Sequence, residues 1–150
     1  MSASLKDRIT EDMKAAMRSK DRPRLGVVRM ILAAIKQREV DERVTMDDAQ
    51  VIAILGRMLK QRRDSQAQFQ SAGREDLAEK EAFEIGIVEA YLPPALDEET
   101  LGQLISEAIK LSGATTPRDM GKVMALLKPR IQGRADMGAV SARVKERLAP

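Results

Sequence analysis

The sequence predicts an all-α protein, and three observations carry that prediction. Apolar residues recur every three or four positions along most of the 150 residues, and no segment sustains the period-two alternation of a half-buried strand. Aromatic residues make up only 2% of the chain, so the core must be built from Leu, Ile, Val, Ala and nine Met, a set suited to packed helices rather than sheets. Residues that start and stop helices stand where the periodic stretches begin and end.

The elements follow in order. Ser4 is placed to cap a first helix, in which Leu5, Ile9, Met13, Ala16 and Met17 form one apolar face. It stops near Lys20-Asp21-Arg22, and Pro23 suits the first turn of a second helix, where its missing amide hydrogen costs nothing. Leu25, Val28, Ile31, Leu32 and Ile35 give that helix a broad apolar stripe, which marks it as central. It ends in the charged turn Arg38 to Arg43. Thr45 is the expected cap of a third helix, with Asp47 and Asp48 in its first turn and Val51, Ile52, Leu55, Met58 and Leu59 facing inward. From Gln61 to Gln70 the pattern is polar, and we expect the helix to continue there, more exposed. Gly73 suits a C-terminal cap. Arg74 to Leu92 reads as a fourth helix, antiparallel to the third in a long hairpin.

The periodicity then breaks at Leu92-Pro93-Pro94, because two consecutive prolines lack the amide hydrogens a helix needs and push the preceding residue out of helical dihedrals. Asp97 can cap a new helix, with Glu98 and Glu99 in its favourable first turn. We therefore expect an N-terminal helical domain over 1–92, a hinge over 93–96, and a three-helix domain over 97–150; an ordinary corner within one domain is the plainer alternative. In the last part, Leu101, Leu104, Ile105, Ala108 and Ile109 define a fifth helix ending at Ser112-Gly113. Thr116-Pro117-Arg118-Asp119 starts a sixth, which Pro129 is expected to break. Gln132 to Ala135 is a turn, and Asp136 caps a seventh helix with Met137, Val140, Val144 and Leu148 inward.

Composition removes several functions. There is no Cys, so disulfides, thiolate metal sites and thiol nucleophiles are excluded, and no His, the commonest general base and metal ligand. Nothing gives a serine an adjacent base, so no catalytic residue is assigned, and an intrinsic enzymatic activity is not expected. Gly121-Lys122 invites a phosphate-loop reading that fails. Gly113 lies too far back, Val123 stands where Ser or Thr should hold magnesium, and no strand leads in. Gly121 is read instead as a point of close helix approach. Acidic pairs sit at helix starts, where they complement the dipole, so no metal site and no cofactor are expected. No apolar run spans a bilayer, and the opening Met1 to Asp7 has no basic stretch followed by an apolar one. The expectation is a cytoplasmic protein without a membrane partner.

Charge points toward a polyanion. Residues 1–100 hold 17 basic and 19 acidic side chains, whereas 101–150 hold 9 basic and 4 acidic. Lys122, Lys128, Arg130 and Arg134 gather around Pro129 and Gly133, so we expect a compact basic turn, with the start of the seventh helix adding amides to an anion site. Arg143 and Lys145 extend the patch. With so few aromatics, recognition would rest on phosphate charge and shape rather than base stacking. The plainer reading is that these charges only keep a small domain soluble.

These residues resemble the GatB/YqeY family along nearly the whole chain. The similarity runs through Gly73 to Glu81, Tyr91-Leu92-Pro93 with Leu96, Asp119 to Met124, and Lys128 to Asp136. Together and in this order the motifs are specific; singly they are weak. One departure is Met137-Gly138, where the family pattern has glycine directly after the aspartate, which bears on where the last helix starts. The resemblance implies a C-terminal three-helix domain similar to the tail of GatB, the subunit of the tRNA-dependent amidotransferase, and a tRNA-binding role for it. The ATP- and magnesium-using body of GatB has no counterpart in this sequence. The resemblance thus implies a tRNA-binding accessory protein. Two alternatives are a component of glutamine-dependent tRNA amidation beside a protein partner, and a helical protein-interaction module that docks through the third and fourth helices.

Overall fold

A computed structural model describes residues 3–150. Among these residues the chain forms seven α-helices, one short 3-10 turn and no strand, as the periodicity predicts. They fall into two compact units, 1–92 and 93–150, each with its own core.

The first unit contains α1 (Leu5–Ser19), α2 (Arg22–Glu42), α3 (Asp48–Ser71) and α4 (Glu75–Glu89). Ile9, Val28, Ile31, Ile35, Val51, Leu55 and Val88 are fully buried, each such aliphatic side chain contributing about 1.5–3 kcal/mol. α1 packs chiefly on α2, and α3 on α4. Ser4 caps α1 by accepting the Asp7 N–H at 3.1 Å. α3 does not start at Thr45. Its cap is Asp47, whose carboxylate accepts the Gln50 N–H at 2.8 Å while the Gln50 side chain accepts the Asp47 N–H at 2.9 Å. This reciprocal pair satisfies two amides at once, which a lone threonine cannot do. Asp48 turns outward from its own helix and accepts the Leu5 N–H at 2.9 Å, tying the start of α1 to the start of α3.

The polar stretch after Lys60 is helical but not wholly exposed. Arg62 retains 16% exposure and pairs with Glu84 at 2.6 Å and Glu81 at 3.5 Å, with Glu84 itself at 8%. Gly73 sits at φ 71°, the left-handed turn that joins the hairpin. Tyr91 is buried, and its hydroxyl donates to Asp12 Oδ2 at 2.5 Å. Burial, then the Asp12 carboxylate, pushes this phenol above the usual tyrosine range. Leu92 packs partly against the same core.

The second unit contains α5 (Glu98–Ser112), the 3-10 turn Pro117–Asp119, α6 (Met120–Ile131) and α7 (Met137–Leu148). Its core is Leu101, Ile105, Ala108, Val123, Leu127, Ile131, Val140, Val144 and Leu148. Asp97 caps α5 through the Thr100 N–H at 2.7 Å. Pro129 does not break α6, which runs on to Ile131. Ile131 is fully buried, and its docking offsets the hydrogen bond that proline removes. Gly121 does not mediate a close approach either, since a Cβ there would meet nothing within 4 Å. The Pro94 carbonyl accepts from Arg134 Nε at 3.1 Å, and the Leu96 N–H donates to the Arg134 carbonyl at 2.9 Å.

Candidate nucleic-acid interface

The compact basic turn expected around Pro129 does not form as expected. Because α6 continues through Pro129, Lys128 and Arg130 stand on helix rather than loop. Two residues apart on a helix are about 200° apart, so these two side chains leave on different sides. Arg130 crosses to α5 and pairs with Glu107 at 3.2 Å. Lys128 is exposed. Lys122 projects into solvent at 71% exposure, with Asp119 4.0 Å away. Arg134 is engaged with Pro94. The start of α7 is not an open anion site, because the Asp136 carboxylate already accepts the Gly138 N–H at 3.0 Å.

The structure assembles a different basic site between α5 and α7. Arg143 and Arg147 lie four residues apart, hence on one edge of α7. Arg143 pairs with Glu98 at 2.9 Å, and Glu98 is 87% exposed, so that acid is a solvated and weak competitor. Arg147 donates to Ser106 Oγ at 2.6 Å and to the Gly102 carbonyl at 3.4 Å. These bonds hold the guanidinium over α5 without neutralising it. Both arginines line an open groove of about 710 Å³ with Lys110, Ser106 and Gln103, and with two acids, Glu99 and Glu107, the latter paired with Arg130. Lys145 is exposed and, two residues from Arg143 and from Arg147, lies on another face of α7. Arg147 and Lys110 were missed by sequence reasoning. The four-residue spacing from Arg143 to Arg147 was the available signal, but nothing in the sequence showed that α5 would lie opposite.

The charge contrast also changes when it is counted on the compact units. Residues 1–92 hold 17 basic and 16 acidic side chains, and 93–150 hold 9 and 7, because Asp97, Glu98 and Glu99 belong with the second unit. Neither unit is strongly basic as a whole; position, not total, distinguishes them.

The Yqey-like protein family matches residues 6–148, nearly the entire chain. This chain belongs to the YqeY-like family. Three curated relatives of this YqeY-like chain share one name, "Altered inheritance of mitochondria protein 41, mitochondrial". The protein of Pyrenophora tritici-repentis is 30% identical over 142 residues, covering 93% of this chain and 78% of the relative. That of Eremothecium gossypii is 32% identical over 146 residues, covering 94% and 79%. That of Kluyveromyces lactis is 38% identical over 101 residues, covering 65% of this chain and 55%, little more than half, of its own length. Relatives named as mitochondrial overturn the expectation of a cytoplasmic protein. That expectation rested on the character of residues 1–7, the first two of which lie outside the described residues, and on the lack of long apolar runs, neither of which reports an organelle. No helix among the described residues is long and apolar enough to cross a membrane.

Proposed function

We propose that this chain is a tRNA-binding accessory protein whose 93–150 unit holds phosphate groups in the groove between α5 and α7. The observation that carries the reading is the pair Arg143 and Arg147 on one edge of that groove, with Lys110 across it. Arg147 is oriented by hydroxyl and carbonyl oxygens, so it keeps its full charge for an incoming anion. Glu98 would yield Arg143 at little cost, since exposed ion pairs are weak. Lys122, Lys128 and Lys145 are exposed and add to the field without lining the groove. The relatives' name speaks of the inheritance of mitochondria and specifies no ligand, so support comes from charge geometry and from the family's likeness to the GatB tail. Glutamine-dependent amidation has no supporting observation in these residues.

The test is binding of bulk tRNA by the full chain over a salt series. Each phosphate contact contributes roughly 0.7–0.9 to the slope of log affinity against log salt. Reversing Arg143, Arg147 and Lys110 to Glu should weaken binding at least about tenfold and flatten the slope by about 2. An unchanged slope with intact helical content removes the groove from the reading.

A further inference from the structure

The first unit carries a run of charge that its own folding does not explain. From Arg22 to Arg38 there are five basic side chains and no acidic one, and the whole run is α2. Arg22, Arg29 and Lys36 fall seven residues apart. Seven residues are nearly two full turns, so the three lie on one line down the helix, about 10 Å from one to the next. All three are exposed, while Val27, Val28, Ile31 and Ile35 bury the opposite side. The acids at the ends of α2 make their ion pairs with residues off that line, although Glu39 also feels the charge of Lys36. Asp21 faces Arg24 at 3.5 Å, Glu42 faces Arg38 at 2.6 Å, and Glu39 is held by Lys6 at 2.8 Å.

The start of α2 is also charged against its dipole. A helix N-terminus favours acids, yet the first turn here holds Arg22 and Arg24 and no acid. Just before it, Lys20 occupies a left-handed position at φ 59°, where glycine would be unstrained. Lys20 also stands at the C-terminal end of α1, which welcomes a cation, and Arg24 pairs with the capping Asp21, so the mismatch lies in Arg22. A basic side chain placed where it weakens the helix, in line with Arg29 and Lys36, fits an anion from outside.

We propose that the outer face of α2, with Arg22, Arg29 and Lys36 as its axis and Arg18 and Lys20 at the adjoining corner, binds the phosphate backbone of RNA. A line of charge about 20 Å long, repeating at a regular interval, matches a chain of phosphates. A membrane surface fits less well. Membrane-bound helices bury a continuous apolar face in lipid, whereas the apolar stripe of α2 is in the protein core and its exposed side carries only scattered apolar residues, Gly26, Met30, Ala33 and Val40, among the charges. This surface does not depend on the α5–α7 groove. If both bind, one chain grips RNA at two linked places, and linkage raises overall affinity without new contacts.

The experiment uses the full chain and fluorescein-labelled bulk tRNA over a salt series, with phosphatidylglycerol vesicles as a parallel arm. The variant carrying Arg22→Glu, Arg29→Glu and Lys36→Glu should bind tRNA at least about tenfold more weakly, with the salt slope reduced by about 2–3. Its melting temperature should hold or rise, because Glu suits position 22; a role confined to stability predicts the reverse. The milder triple change to Gln gives the same reading should the reversal variant fail to fold. Unchanged affinity and slope in the folded variant overturn the inference. So does loss of vesicle binding with tRNA binding intact, which would make α2 a lipid-facing surface. The groove variant is measured alongside. If only it loses slope, the α2 surface falls and the groove stands; if only the α2 variant does, the reverse holds.

Discussion

Two helix starts in this chain follow opposite rules. α5 begins with Asp97 as cap and Glu98 and Glu99 in its first turn, so every charge there complements the dipole. α2 begins with Arg22-Pro23-Arg24, and Asp21 is the one acid that compensates. At α5 folding alone accounts for the residues chosen. At α2 it does not, and the excess charge is what directs attention to an external anion. Charge is thus most informative about function where local physics argues against it.

The buried pair in the α3–α4 hairpin sets the upper end of the scale for these electrostatic effects. Glu84→Ala would leave the largely buried Arg62 without its 2.6 Å partner, and Arg62 Nε already has no partner among the described residues. We expect a loss of about 3 kcal/mol, read by urea unfolding. A loss near zero would mean that Glu81, 3.5 Å away, takes over the guanidinium.

The α5 cap comes next. Asp97→Ala should lower the melting temperature by a few degrees, since the Thr100 amide loses its acceptor. The same cap predicts acid sensitivity. The backbone and hydroxyl hydrogen bonds of Thr100 hold the Asp97 carboxyl below its usual range, and the Thr115 and Thr116 amides do the same for Asp119. A depressed carboxylate contributes stability that is complete above its unfolded pKa and is lost as pH falls through the folded one. Melting temperature should therefore decline below about pH 4, and the Asp97→Ala protein should decline less.

The smallest effect sharpens the contrast most. Arg22→Glu should stabilise the protein by roughly 0.5 kcal/mol at low ionic strength, and the gain should shrink as salt is raised. Destabilisation would show that Arg22 makes a structural contact, and α2 would then be no different in kind from α5.

Most of the fold was legible because it depends on local chemistry. Ser4, Asp97 and Asp136 cap the helices expected of them, and the apolar stripes face the observed cores, except that Met17, expected on the inner face of α1, is exposed. One error came where packing decides and the other from a choice between nearby caps. Pro129 lies inside a helix because Ile131 has a core to dock into, and the α3 cap moved from Thr45 to Asp47 because Gln50 answers it. The candidate site was less legible still. Lys122, Lys128, Arg130 and Arg134 are neighbours in sequence but leave α6 and its turn in different directions. The groove instead joins Arg143 and Arg147 to Lys110, more than thirty residues earlier.

By itself, then, the sequence determined that this chain is helical, where its helices begin and end to within a few residues, and which faces are apolar. Those properties follow from the 3.6-residue period, from capping and from the backbone limits of proline and glycine, all of which act over one or two turns. Only the tertiary structure decided which charges are neutralised, which are held ready and which line a common groove. An ion pair depends on the approach of side chains far apart in the chain, and packing of the cores sets that approach.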